Sequence, residues 1–326
     1  MKRILIMREI NINKEFVLAL ERKMPKKTML ADFIADNLCM EKETAYRRLR
    51  GEVPFTLREA GIISAKLGIS LDEIILRTMS GGKEKTIMQL PVPSKKEDPK
   101  LLEDAINFLY NITDQPYSEF GLALAGIPFA LFQKYSLISR FYILKHVHHK
   151  GNPHTCPSFE MLQESEEQVQ KREEIAMLFQ RISYTYYVWD RKIMGALISD
   201  IKYYRNVRLI KEEEVTALKA ELHKFLNDLE VLTSEGKYKE NGNKFELYIA
   251  DIDIDVTYAY LCSEEICVSL FTSFIYYATA SVDEQTCKNV SEWIKSMKRC
   301  STLISGIGDR DRVIFFDQQH AIVDTL

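Results

Sequence analysis

Apolar residues recur at spacings of three and four along the start of the chain, and breaks in this pattern divide it into helical segments. The first segment follows Asn13, which is suited to an N-cap, and stops near Pro25. The second begins at Thr28. The third covers 42–50 and ends at Gly51, which suits the left-handed conformation that closes many helices.

Two capping boxes predict where the next two helices begin. Thr56 is followed three positions later by Glu59, and Ser70 is followed three positions later by Glu73. Gly68 closes the helix that lies between the two boxes. The pattern therefore predicts five short helices, with a tight turn between the second and the third.

The pattern changes twice further along the chain. Residues 80–99 combine Gly, Pro and Lys with little apolar order, which predicts a linker. From 100 to about 232 the spacing is helical, and from 237 to 276 it alternates as in β-strands around an Asn241-Gly242 turn. Helical spacing returns at 283–305 and 310–324.

These patterns predict three parts, a head at 1–79, a linker at 80–99 and a larger body at 100–326. The predicted fold class is mostly α. It combines a five-helix head with an α-rich α+β body that contains a small antiparallel sheet.

Charge divides the chain near the same place. The net formal charge is only −3, but residues 1–96 hold 19 Lys and Arg against 12 Asp and Glu. The remainder holds 25 basic residues against 35 acidic ones. A basic head on an acidic body indicates that only the head meets a polyanion.

An ordered set of residues runs through the head. It consists of Ile34, Ala35, Met40, Ala45, Arg50, Gly51, Pro54, Leu57, Ala65 and the run Leu67-Gly68-Ile69-Ser70-Leu71-Asp72-Glu73. In order and spacing this set resembles the lambda-repressor-like (Xre-type) helix-turn-helix family over about residues 13–77. The chain departs from the family at Cys39, where the turn usually has Gly, and at Glu41, where the cap is usually Ser or Thr.

The resemblance implies that the third helix lies in the DNA major groove with its amino-terminal residues at the base edges. The implied DNA-binding residues are Lys26, Lys27, Thr28, Lys42, Glu43, Thr44, Tyr46, Arg47, Arg48 and Arg50. Arg47 is expected to pair with guanine and Thr44 to meet a thymine methyl. Arg48 and Arg50 are expected at phosphates or partner acids, and residues 26–28 at a phosphate. The alternative is a solvated basic helix face.

Two polar clusters in the body resemble metal sites. Four histidines and one cysteine lie between His146 and Cys156, but no known ligand spacing fits, which favours solvated loop histidines. Asp251, Asp253 and Asp255 alternate with apolar residues, as in a strand with a solvated acidic face. We therefore expect no bound metal.

Tyrosines are frequent in the body, among them the run at 184–189, and they suit pocket walls, core edges and dimer contacts alike. We expect a ligand or partner pocket where the 237–276 segment meets the helices, with Tyr258, Tyr260 and Trp293 as wall residues. Cys262 and Cys267 flank a turn, where free thiols are favoured over a disulfide.

The sequence contains no nucleophile-elbow, phosphate-loop, dinucleotide-binding or metalloprotease motif, so we expect neither enzyme activity nor a cofactor. No apolar run approaches the ~20 residues that cross a bilayer, so we expect a cytoplasmic protein without a membrane partner. The expected function is a transcription regulator that binds double-stranded DNA as a homodimer and responds to a small-molecule or protein effector. The alternatives are a non-enzymatic module that docks an acidic protein partner, and an enzyme with a helix-turn-helix appendage.

Overall fold

The computed structural model describes residues 11–79, 100–150, 156–274 and 277–326. The chain divides into two compact units, and the division follows Ile87, inside the segment predicted as a linker. The head and the body each have a hydrophobic core of their own.

Five helices form the head, in the segments that the apolar spacing predicts. They are α1 (Ile12–Lys23), α2 (Lys27–Leu38), α3 (Lys42–Leu49), α4 (Leu57–Leu67) and α5 (Leu71–Met79). Their core includes Phe16, Leu20, Leu30, Ile34, Ala45, Leu49, Ile63 and Ile74. Within α1, α2 and α3 these side chains are four positions apart, so each helix buries one face and leaves the other exposed.

The helix ends of the head follow several of the sequence signals. Thr56 and Glu59 form the predicted capping box, with each side chain accepting from the other's backbone N–H. Gly51 and Gly68 adopt left-handed conformations at the ends of α3 and α4. The predicted cap of α1 is wrong by two positions, because Asn11 caps the helix while Asn13 accepts from the backbone N–H of Phe55 at 2.9 Å.

A mixed sheet of seven strands organises the body, so the predicted small antiparallel sheet is wrong. The strands are β1 (Ser118–Leu124), β2 (Tyr184–Trp189), β3 (Lys244–Ala250), β4 (Tyr258–Ser263), β5 (Cys267–Phe274), β6 (Tyr277–Ser281) and β7 (Ser301–Leu303). Their order is β6-β5-β4-β1-β2-β3-β7. The adjacent strands β1, β2 and β3 run parallel to one another, and the other pairings are antiparallel.

Strands β1 and β2 lie inside the stretch that was predicted to be helical. Both strands are buried on both faces, so their sequences lack the alternation of apolar and polar residues that marks a half-exposed strand. A short apolar run of this kind has the same appearance in a buried helix. The prediction failed for this physical reason.

Helices cover the two faces of the sheet unequally. The helices of the body are α6 (Lys100–Thr113), α7 (Phe129–Phe132), α8 (Ser136–Lys150), α9 (Glu166–Arg181), α10 (Ile193–Asn206), α11 (Glu212–Glu235), α12 (Glu284–Lys298) and α13 (Asp309–Asp324). One large core joins one face of the sheet to α6, α8, α9, α10, α11 and α13. On the other face a smaller core joins the strands to α12, and we call this side the α12 face. In the described parts of the chain, no helix has both the length and the apolar character needed to cross a membrane.

Candidate functional site

The turn between α2 and α3 sets the geometry of the candidate nucleic-acid interface. Cys39 ends α2 in a left-handed conformation with φ 51°, so a non-glycine residue fills the position where the family usually has Gly. The backbone N–H of Met40 then donates to the carbonyl of Ala35 at 3.1 Å. This turn brings α3 onto α2, with Ala45 and Leu49 buried between them.

Burial of Ala45 and Leu49 leaves the opposite face of α3 open. Lys42, Glu43 and Arg47 are exposed, whereas Thr44 and Tyr46 are half-buried. Glu41 makes no side-chain cap at the start of α3, and Glu43 is the acidic residue of its first turn. The amino-terminal half of α3 therefore presents the residue types that the resemblance assigns to base contacts.

Arg47 and Arg50 form exposed ion pairs with carboxylates of the head. Arg47 Nε lies 3.4 Å from Glu52, while Arg50 reaches Glu52 at 2.6 Å and Glu43 at 2.9 Å. Lys42 pairs in the same way with Asp32 of α2. Exposed pairs of this kind contribute about 0–1 kcal/mol, so an incoming phosphate competes with them at little cost.

Arg48 differs from the other arginines of α3, because its side chain is only 12% exposed. Its guanidinium donates to Glu59 at 2.6 Å and to the carbonyl of Pro54 at 2.5 Å, and it lies over the ring of Phe55. These contacts tie the end of α3 to the start of α4. The structure thus places Arg48 in the frame of the head and leaves Arg47 at its surface.

The start of α2 forms the second part of the candidate interface. Lys26, Lys27 and Thr28 are all exposed, and Lys27 pairs with Glu21 at 3.0 Å. No side chain caps this helix start, so its N–H groups and positive dipole end face outward. Residues 11–79, however, include 12 basic and 10 acidic residues. Most of the excess of basic over acidic residues in 1–96 therefore lies in 1–10 and 80–96.

A group of tyrosines, carboxylates and lysines lies on the α12 face of the body, near the amino-terminal ends of the parallel strands. We call it the tyrosine cluster, and it consists of Tyr184, Tyr186, Tyr248, Tyr260, Glu119, Glu246, Lys295 and Lys298. Its tyrosines and carboxylates come from β1, β2, β3 and β4, and its two lysines come from α12.

Glu246 is the centre of one half of the tyrosine cluster. It accepts from the hydroxyls of Tyr184 at 2.5 Å and Tyr248 at 2.8 Å, and it pairs with Lys244 at 2.6 Å and Lys298 at 3.2 Å. Burial raises the pKa of Glu246, but the hydrogen bonds from Lys244 and the two tyrosines, together with the charge of Lys298, outweigh burial and lower it to about 2. The carboxylate therefore stays ionised.

Glu119 is the centre of the other half. It accepts from the hydroxyls of Tyr260 and Tyr117 and pairs with Lys295 at 3.2 Å. The hydroxyls of Tyr186 and Tyr260 meet at 3.0 Å and join the two halves. Burial is the main cause that raises the pKa of the Tyr184, Tyr186, Tyr248 and Tyr260 hydroxyls above the ordinary value, so all four remain protonated.

Gly121 makes room for this arrangement. A Cβ at position 121 would lie 2.5 Å from the ring of Tyr260 and 2.6 Å from the ring of Tyr186. Sequence analysis singled out Tyr260 but missed Gly121, Glu119, Glu246 and Lys298. The available signal was the two-residue spacing of Tyr184 with Tyr186 and of Glu246 with Tyr248, which places each pair on one face of a strand.

The three predicted pocket residues lie in different surroundings. Tyr260 is fully buried with its hydroxyl bonded, Tyr258 is half-buried with its ring against Phe271, and Trp293 is 57% exposed on α12. A pocket of about 400 Å³ lies elsewhere, between α8 and α10. It is lined by Lys145, His148, His149, Asp200, Tyr203 and Tyr204.

The predicted acidic strand at 251–255 is a loop. Asp251 pairs with Arg191, Asp253 pairs with Lys192 at 3.0 Å, and the N–H of Ile254 donates to Asp190 at 3.1 Å. This loop packs on the residues that follow β2. Ligands of open parallel sheets bind at the carboxyl ends of the strands, and here the loop occupies part of that edge.

The histidines and cysteines also differ from their predicted settings. His146, His148 and His149 lie on α8 rather than in a loop, and His154 lies outside the described residues. Cys262 and Cys267 face each other across β4 and β5 and form a disulfide, which corrects the expectation of free thiols. For the residues that the structure describes, no group of three or more His, Cys, Asp or Glu side chains is placed to hold a metal ion.

No family model, curated protein or solved structure matches the chain.

Proposed function

We propose that the protein is a sequence-specific transcription regulator whose head binds double-stranded DNA through a helix-turn-helix formed by α2 and α3. The observation that carries this proposal is the placement of α3. Ala45 and Leu49 face the core of the head, so Thr44 and Arg47 lie on the side that is free to enter a major groove.

Within this proposal the residues divide into three roles. Lys42, Glu43, Thr44, Tyr46 and Arg47 face the bases, and Arg47 reads a guanine. The start of α2 (residues 26–28) and Arg50 contact phosphates. Arg48 positions α3 against the start of α4 rather than touching DNA, because its two terminal nitrogens donate to Pro54 and Glu59 within the head.

The proposal extends to assembly and location. One head covers a half-site, so two copies of the chain would bind a site with two halves about one DNA turn apart, in the cytoplasm. The body would supply the dimer contacts or an effector site. Light scattering on the full-length chain, with and without bound duplex, measures the number of copies, and a monomer in both states contradicts the dimer.

The test of DNA binding is selection from random duplexes with the full-length chain. Arg47→Ala is expected to relax the selected sequence at one position and cost about 1–3 kcal/mol on the preferred site. Lys27→Ala is expected to weaken all duplexes alike and to reduce the salt dependence of affinity. Arg310→Ala, an exposed arginine on α13, is the matched control and leaves binding unchanged.

One observation favours a second candidate, a module that docks an acidic protein. The basic residues of α3 bind carboxylates of the head, at Asp32, Glu43 and Glu52, and carboxylates are the groups that an acidic protein would present. The same selection separates the two, since an acidic-partner module enriches no duplex sequence and binds DNA without preference.

A further inference from the structure

The ammonium of Lys298 lies in an unusual setting for a lysine at the end of a surface helix. It is 4.2 Å from the ring centroid of Tyr186, 4.6 Å from that of Tyr248 and 5.4 Å from that of Tyr184. Glu246 is 3.2 Å away. Proteins bind organic cations by surrounding the ammonium with several aromatic rings and a carboxylate. We call these three rings and Glu246 the lysine cage.

The walls of the lysine cage have contacts of their own besides the hydrogen bond that Lys298 donates to the Tyr184 hydroxyl at 2.8 Å. Tyr184 and Tyr248 are fixed by their hydrogen bonds to Glu246, and all three lie on the adjacent strands β2 and β3. Tyr186 is fixed by its hydroxyl contact with Tyr260, and its ring packs closely over Gly121. Removing the lysine would therefore leave the binding surface in place.

Lys298 is held by contacts of the kind that an organic ammonium would make, because its Nζ donates to the Tyr184 hydroxyl at 2.8 Å and to Glu246 at 3.2 Å. It is the last residue of α12, and the buried side chains Val290, Ile294 and Met297 already fix that helix to the sheet. Its side chain is 21% exposed, so water reaches the cage. Because Lys298 is the last residue of α12, its side chain can leave the cage by rotation while Met297 and the rest of the helix stay packed.

A second ammonium reaches the same cage from the solvent side. Lys244, whose side chain is 60% exposed, pairs with Glu246 at 2.6 Å and lies 4.8 Å from the ring centroid of Tyr184. The cage thus already receives one cation from α12 and another from the open side. Its chemistry does not require that the cation belong to Lys298.

We propose that the lysine cage is a binding site for the alkylammonium group of an organic amine, and that Lys298 occupies it in the ligand-free protein. Binding of the amine competes with Lys298 and displaces its side chain into solvent. The proposal concerns the body alone and does not depend on DNA binding by the head.

Chemical rescue of the full-length chain tests the site. Lys298→Ala is expected to lower the melting temperature of the body by about 4 °C, because the cage loses its cation. n-Butylammonium chloride, which replaces the lost side chain, is expected to restore it with a saturable dependence on concentration. Sodium chloride at equal ionic strength and neutral n-butanol are expected to have no such effect.

Two further variants make the rescue specific. Lys288→Ala removes an exposed lysine from the same helix and is expected to show no response to n-butylammonium. The double variant Lys298→Ala, Glu246→Gln is expected to lose the rescue, since the cage then lacks its anion. A response of Lys298→Ala no larger than that of Lys288→Ala overturns the proposal.

The competition between ligand and Lys298 can also be measured on the wild-type chain, so this test does not depend on whether a variant folds. Acetylation of each lysine by an N-hydroxysuccinimide ester is followed by peptide mass spectrometry, with tetramethylammonium chloride or sodium chloride present. Tetramethylammonium does not consume the reagent, and it is expected to raise the acetylation rate of Lys298 several-fold while leaving that of Lys288 unchanged. Equal rates for Lys298 in the two salts contradict the competition between ligand and lysine.

Discussion

The head and the body of this protein are built from contacts of different range. In the head, the junction of α3 and α4 is defined by nearby residues, through the Thr56–Glu59 capping box and the pairing of Arg48 with Glu59 eleven positions away. In the body, the tyrosine cluster joins residues far apart in the sequence, as in the contact of Glu119 with Tyr260. Local contacts can be predicted from a short stretch of sequence, whereas the pairing of β1 with β4 cannot.

The largest expected effect compares a buried ion pair in each unit. In the body, Arg172 donates to Glu164 through two nitrogens at 2.6 Å and to the carbonyl of Gln133, and it is nearly inaccessible. Arg172→Met leaves the carboxylate of Glu164 buried without its partner, which we expect to cost about 3–5 kcal/mol.

The matched change in the head is Arg48→Met. Glu59 keeps its hydrogen bond from the backbone N–H of Thr56, so we expect a smaller cost of about 1–3 kcal/mol. Denaturant unfolding of the full-length chain, followed by hydrogen exchange of peptides from each unit, measures both values. Equal costs would mean that the pair in the body is no better shielded from water than the pair in the head.

One substitution type is expected to change sign between the two units. Gly121→Ala places a Cβ within 2.6 Å of two tyrosine rings, and we expect it to destabilise the body by about 1–3 kcal/mol. Gly61 lies within α4 with nothing near its added Cβ, so Gly61→Ala is expected to stabilise the head by about 0.5–1 kcal/mol.

Local hydrogen exchange and the melting temperature of each variant measure the effects of these two substitutions. If Gly121→Ala leaves the exchange of β1 and β4 peptides unchanged, the tyrosine rings move aside at no cost. The lysine cage would then lack the rigid wall that Tyr186 is taken to provide.

The surroundings of Gly61 could be predicted from the sequence, whereas those of Gly121 could not. The helical spacing around Gly61 predicts α4 directly, because the apolar residues of that helix face one core. Nothing beside Gly121 in the sequence identifies the two rings above it, since Tyr186 and Tyr260 reach it only through the strand order. The same reason hid Glu119, Glu246 and Lys298 from the sequence analysis, although the tyrosines themselves were noticed.

The dependence of stability on pH is expected to separate the units. All six histidines lie in the body, and His223 and His320 meet there through their Nδ1 atoms at 2.7 Å with stacked rings. Burial, and then the charge of His223, lowers the pKa of His320 below its ordinary value. Because the unfolded chain then binds the proton more readily, the stability of the body is full above about pH 6.5 and falls as pH decreases below it.

His320→Gln is expected to reduce this loss, while the stability of the head stays constant between pH 7.5 and 5.5 because it contains no histidine. The groups that surround His320 include Asp317, Asp324 and Glu230, whose negative charges oppose the shift, so the effect is moderate. Thermal unfolding at several pH values, with hydrogen exchange to assign each unit, is the measurement. An unchanged slope in His320→Gln would exclude this pair as its source.

The smallest expected difference concerns helix caps, for which the two units should behave alike. In the body, Ser165 forms a capping box with Gln168 at the start of α9, with backbone-to-side-chain bonds of 3.0 and 3.2 Å. In the head, Thr56 forms the corresponding box with Glu59. Removal of the cap hydroxyl leaves one backbone N–H without its partner in either case.

We expect Ser165→Ala and Thr56→Ala each to cost about 1 kcal/mol, because a cap is a contact within four residues and does not depend on what the rest of its unit does. Hydrogen exchange of the first turns of α9 and α4 measures the two costs within one full-length chain. A cost several times larger in the body would show that α9 depends on its cap to hold Arg172 in place, so that even this local contact takes part in long-range packing.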